Sequence, residues 1–93
     1  MARANEETLQ RLQPLLAGLR AIPGLAEIKP GIFYIKRLPM LHFHETGDGI
    51  VADLKCVEPS TGGFDRFAVG NVADEKKLLA ETSRRCRKLQ AGK

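Results

Sequence analysis

The sequence predicts an α+β fold: a single antiparallel sheet of about four or five strands, with N- and C-terminal helices packed on one face. Three observations lead there. Leucines recur at helical spacing near both ends of the chain. Between them lie β-rich runs, the clearest of which alternate apolar and polar residues with a period of two. Glycine and proline punctuate those runs.

The first helix is read from ANEETLQRLQPLLAGLRAI, where Leu9, Leu12, Leu16 and Leu19 share a stripe with Leu15 beside them. Asn5 is the expected N-cap, and Glu6 and Glu7 suit the positive end of the helix dipole. Pro14 removes a hydrogen bond from a helix interior and clashes with the preceding turn. The expectation is therefore a kinked or two-part helix that ends before Pro23-Gly24.

Strands are expected at about residues 25–29 and 31–37, interrupted by Pro30-Gly31. Pro39 cannot donate to a ladder, so it marks a bulge, an edge or a break. The strand resumes as MLHFH, and Thr46-Gly47-Asp48-Gly49 turns it into IVADLKCV as a hairpin. Strict alternation places Leu41 and Phe43 on one face and Met40, His42 and His44 on the other. On the second strand Ile50, Ala52, Leu54 and Cys56 share the apolar face, leaving Val51, Asp53, Lys55 and Val57 opposite. One face of the sheet then packs on helices while the other presents His42, His44, Asp53 and Lys55.

A flexible loop, EPSTGGFD, leads to a short strand in RFAVGNV. Asp74 is the expected cap of the last helix, ADEKKLLAETSRRCRKLQ, whose inner stripe is Leu78, Leu79, Thr82, Cys86 and Leu89. Its acids come early and its bases late, which complements the dipole. The basic end thus has a structural cause.

Composition bounds the function. The chain has 93 residues, expected to form one domain over 1–93, and 43% of them are apolar. A net charge of +4 is only mildly basic. There are four Phe, one Tyr and no Trp, without a paired aromatic motif of the RNA-binding kind. Arg66 with Lys36, Arg37 and Lys55 would make at most a shallow basic patch, so nucleic acid ranks last among partners. The start has no apolar signal core, and no apolar run approaches the roughly 20 residues of a bilayer span. The expected compartment is the cytoplasm, with no membrane partner. Cys56 and Cys86 form no CxxC pair and are expected to be buried and inert. The glycines of STGGFDRF precede a strand, not a helix, so they are read as a loop and not as a phosphate cradle.

The chemistry on offer centres on His42 and His44. Two imidazoles on one side of a strand, about 7 Å apart along it, can share a divalent metal ion. Asp53 or Glu45 across the hairpin can add an oxygen. The plainer reading is two half-exposed histidines that pair with Asp53 or with solvent. No cofactor is expected on this pattern alone, and a metal enters only through His42 and His44.

The order helix, Ile22-Pro23-Gly24-Leu25, strands, H-x-H, glycine turn, alternating strand and leucine-rich helix resembles the small bacterial proteins grouped as the "luciferase domain" family. The likeness covers roughly residues 22–90, with His42 and His44 as the histidines and Phe33 or Tyr34 as the upstream aromatic. The chain has Glu45 where that family often has proline, and only the short STGGFDRF loop where the family often has a stretch with Trp and His. The resemblance implies a fold and a conspicuous histidine pair, not a reaction. Together these readings favour a binding or accessory module that engages a small ligand or protein partner through His42, His44, Asp53, Lys55 and Tyr34. The alternatives are an enzyme using the pair as metal ligands or as acid and base, and a weak nucleic-acid binder.

Overall fold

The structure is a computed structural model that describes residues 2–3, 6–47, 49–57 and 63–91. Its elements are β1 (Ala2–Arg3), α1 (Glu6–Arg11), α2 (Gln13–Arg20), β2 (Leu25–Lys29), β3 (Ile32–Ile35), β4 (Leu38–Thr46), β5 (Gly49–Lys55), β6 (Phe64–Ala68) and α3 (Val72–Ala91). Strands β2 to β6 form an antiparallel meander in chain order, and β1 pairs with β4. The predicted class is found: one antiparallel sheet with helices at both ends of the chain, α+β.

Pro14 does what its chemistry requires. The helical path breaks at Leu12, and Pro14 sits in the first turn of α2, where its missing N–H is no loss. Leu12 bridges the two pieces, its amide bonded to the Thr8 and Leu9 carbonyls and its own carbonyl accepting from Leu16. The expected Asn5 cap lies outside the described residues.

Three hairpins build the centre of the sheet. Pro30-Gly31 closes β2 to β3, with Gly31 at φ +75, a conformation that suits glycine. Lys36 and Arg37 close β3 to β4, both at positive φ (+50 and +69). Positive φ at both corners is the type I′ geometry that matches strand twist, here without the usual Asn-Gly. The expected strand over 31–37 therefore ends two residues early. Between β4 and β5, Thr46 opposes Gly49; Asp48 lies outside the described residues.

Pro39 falls at a bulge. Phe33 pairs with Leu41 but Tyr34 pairs with Pro39, so Met40 is one residue too many on β4. This corrects the placement of Met40. Strict alternation puts it beside the histidines, yet it is wholly buried, as is its neighbour Leu41. The bulge turns two consecutive side chains towards the helices.

The core gathers Leu9, Leu12, Leu15, Leu16 and Leu19 of the N-terminal helices over Phe33, Ile35, Met40, Leu41, Phe43, Ala52 and Leu54 of the sheet. Helix α3 adds Leu78 and Cys86, both fully buried. It meets α2 closely at Gly18, where a methyl group would come 2.9 Å from Leu79 Cδ2. Leu79 and Leu89 are only partly buried, contrary to expectation. The stripe instead includes Arg85, buried although charged. Its guanidinium bonds Glu81 (2.6 Å), Asp65 on β6 (2.8 Å) and the Lys55 carbonyl on β5 (3.0 Å). It also lies 5.8 Å from the Phe67 ring centroid. Arg84 and Arg85 push the Glu81 carboxyl down to about 2.

Two further expectations need correction. Asn71, not Asp74, caps α3: its side-chain oxygen accepts from the Asp74 amide at 2.8 Å, while Asp74 accepts from the Gly70 amide. Cys56 is half-exposed, because β5 ends at Lys55 and the alternation that would bury it stops there. Partial burial and the Asp65 carboxylate raise its pKa. Cys86 is buried as expected, and burial pushes its thiol up to about 11.

Two stability tests follow from this packing. Leu78→Ala should cost about 2–4 kcal/mol and Leu79→Ala about half that, because only Leu78 leaves an enclosed cavity; chemical denaturation of the two variants measures the order. Arg37→Gly should stabilise the domain by about 0.5–1 kcal/mol, since glycine removes the left-handed strain but adds unfolded-state entropy. A higher denaturation midpoint is the expected sign.

Candidate functional site

The uncovered face of the sheet carries the histidines. The row Ile32, His42, Asp53 and Arg66 runs straight across β3, β4, β5 and β6. His44 stands one pleat along β4, opposite Val51. Strands β4 and β5 keep six consecutive pairs in register, so the backbone beneath these side chains is regular. The alternation that buries Phe43, Ala52 and Leu54 sends His42, His44 and Asp53 the other way.

The side chains converge. His42 Nδ1 lies 2.7 Å from His44 Nε2, with the rings edge to face and their centroids 4.7 Å apart. His44 Nε2 is 3.2 Å from Asp53 Oδ2. Arg66 holds Asp53 from the far side with two bonds, Nε to Oδ1 at 2.9 Å and Nη2 to Oδ2 at 3.1 Å. Phe64 flanks His42 at 5.3 Å between centroids. One donor atom from each of His42, His44 and Asp53 lies within 4.8 Å of the others. His44 and Asp53 side chains are only 17% and 15% exposed, so the cluster is sheltered though it faces outward.

The proton positions follow from the network. His44 Nδ1 is buried without a partner among the described residues. Its proton is therefore assigned to Nε2, which donates to His42 Nδ1 and lies 3.2 Å from Asp53 Oδ2. Burial lowers the His42 pKa, His44 and Arg66 add to that, and Asp53 opposes it. Arg66 is also the main reason that Asp53 holds its charge below the usual carboxylate range, against the effect of burial.

Of the residues expected here, the structure brings His42, His44 and Asp53 into one cluster. Lys55 shares the face two residues along β5, opposite Phe64. Tyr34 is on the same face but opposes Pro39, on the far side of the Met40 bulge from His42. Glu45 faces the helices, where its carboxylate accepts from the Thr8 hydroxyl at 2.9 Å. The basic patch does not assemble as expected: Arg66 pairs with Asp53, and Lys36 donates to the Leu89 carbonyl at the end of the sheet where α3 finishes. Sequence reasoning missed Arg66 as the partner of Asp53, and Phe64 as a neighbour of His42. Alternation along RFAV carried the signal for Arg66 once the register with β5 is known.

Concavities also lie on other parts of the surface. One is lined by Pro14, Leu15, Val72 and Leu79 between α2 and α3, and another by Ile22, Pro23, Ser83 and Gln90. Among the described residues no helix is long and apolar enough to cross a membrane. No family model, curated protein or solved structure matches the chain.

Because its folded pKa is lowered, His42 should be neutral at pH 7 and titrate below the ordinary histidine range, followed by its ring proton resonances. The sign for stability follows. The unfolded chain takes up this proton first as pH falls, so the His42 contribution is present above about pH 6.5 and is lost below it. Asp53→Asn removes the one group that raises His42 and should move its titration lower still.

Proposed function

We propose that this chain is a small binding module that engages a ligand or partner on the uncovered face of its sheet, around His42 and His44. One observation carries the reading. Four groups able to ionise (His42, His44, Asp53 and Arg66) are drawn into one connected cluster on a face that the core does not use. Folding gains little from such an arrangement. Arg66 is about half exposed, so its pair with Asp53 contributes at most about 1 kcal/mol, and among the described residues one buried imidazole nitrogen has no partner. The likeness to the luciferase-domain pattern directs attention to the same two histidines.

The enzyme reading uses the same residues as metal ligands or as acid and base. The cluster lies on the outward face of the sheet, which favours binding over chemistry that needs water excluded. Nucleic-acid binding draws least support, since Arg66 already has a carboxylate partner.

A ligand screen read by backbone amide shifts tests the proposal. Responding amides should cluster on 42–44, 51–55 and 64–66. His42→Ala with His44→Ala should abolish the response while lowering stability by less than about 2 kcal/mol, because the apolar face stays whole. Shifts confined to the helices, or a response that survives the double change, would contradict it.

A further inference from the structure

We infer that His42, His44 and Asp53 bind a divalent first-row transition ion of the zinc type on the open face of the sheet. This rests on the reading of that face as a binding surface and names its ligand class. His44 Nε2 lies 2.7 Å from His42 Nδ1 and 3.2 Å from Asp53 Oδ2, and one donor atom from each of the three residues falls within 4.8 Å of the others. Donors bound to one metal at about 2.1 Å are roughly 3.0–3.4 Å apart for right or tetrahedral angles. The His44 nitrogen to Asp53 oxygen distance is already 3.2 Å. The two imidazole nitrogens, at 2.7 Å, need to part by roughly half an ångström. Without a cation, the His44 N–H donates to the His42 lone pair while the Asp53 carboxylate lies 3.2 Å away. An electron-poor centre among these atoms would satisfy all three.

The surroundings suit the role. Arg66 fixes the plane of Asp53 through both oxygens, as outer-shell partners of metal-binding carboxylates do. A carboxylate oxygen has two lone pairs, so Oδ2 can serve Arg66 Nη2 and a metal together. The donor set is two nitrogens and one oxygen, and Arg66 offsets the carboxylate charge. Such a set favours zinc, cobalt or nickel over calcium and magnesium, which need several oxygens. Three protein ligands leave at least one position for water or a further ligand. On binding, the His44 proton passes from Nε2 to Nδ1, which frees the Nε2 lone pair for the metal. Nδ1 has no acceptor among the described residues, which limits affinity relative to a closed four-ligand site.

Calorimetric titration of the metal-free protein with zinc, and absorption spectra with cobalt(II), test the inference. The expected result is one ion per chain, with shifts of the His42 and His44 ring resonances and no saturable response to magnesium or calcium. His44→Ala and His42→Gln should each weaken binding by more than about 100-fold, and Arg66→Ala by about 10–100-fold through the freed carboxylate. Asp53→Asn keeps the shape of the side chain and should also weaken it, while Cys56→Ser should not. Circular dichroism confirms that each variant is folded. Absence of saturable binding up to about 1 mM zinc, or binding unchanged in His44→Ala, would overturn the inference. If zinc fails while another compound still moves the amides of 42–44 and 51–55, only the metal assignment falls. If nothing moves them, the binding face falls with it.

Discussion

The extra residue on β4 sets the phase of the whole sheet. A strand has only two faces, so one inserted residue exchanges them for everything on one side of it. Before the bulge, Pro39 opposes Tyr34; after it, Leu41 opposes Phe33. Met40 and Leu41 both reach the core, and beyond them Phe43 is buried while His42 and His44 stay partly exposed. Remove that insertion and Phe43 would point to water while His42 and His44 pointed at the leucines of α1 and α2. The cost of burying two imidazoles and exposing a phenyl ring makes that register uncompetitive. The position of the histidines is thus a consequence of where the apolar residues must go.

The second organising contact is Arg85. A buried charge is costly unless it is paired and fully bonded. Here it reaches Glu81 on its own helix, Asp65 on β6 and the backbone of β5. These bonds stitch α3 to the two strands that carry Asp53 and Arg66. The strand edge farthest from the N-terminal helices is thereby held from beneath, while Arg66 and Asp53 join the same two strands from above. A site whose supporting strands are already fixed loses less freedom when it engages a ligand.

Much of this was legible in the residues, and the rest has identifiable causes. Period-two alternation in MLHFH and IVADLKCV revealed the hairpin and the outward histidines, because one buried face leaves a strong pattern. Pro14 announced the broken helix through its missing N–H. Met40 was misplaced because alternation assumes no bulge; Pro39 marked one without saying which residue was surplus. The Lys36-Arg37 turn was invisible because neither residue favours positive φ, and only the pairing of Ile35 with Leu38 imposes it. Asn71 and Asp74 both suit a cap, and a helix that starts three residues earlier, at Val72, chose between them. Arg85 read as part of a solvated basic run, since its partners Asp65 and Lys55 are 20 and 30 positions away in the chain. The two-residue β1 has no pattern to read. At the site, His42 with Asp53 followed from the hairpin, but Arg66 needed the register of β5 on β6.

The meander has a kinetic consequence. Each of β2 to β6 pairs with its neighbour in the chain, so the sheet can assemble by successive hairpins with short loops to close. Hairpins form within about 1–10 μs, and folds dominated by near contacts fold fast for their class. The cluster lies on the most regular of these hairpins, β4 with β5. His42, His44 and Asp53 can therefore meet before α3 docks, and only Arg66 has to wait for β6.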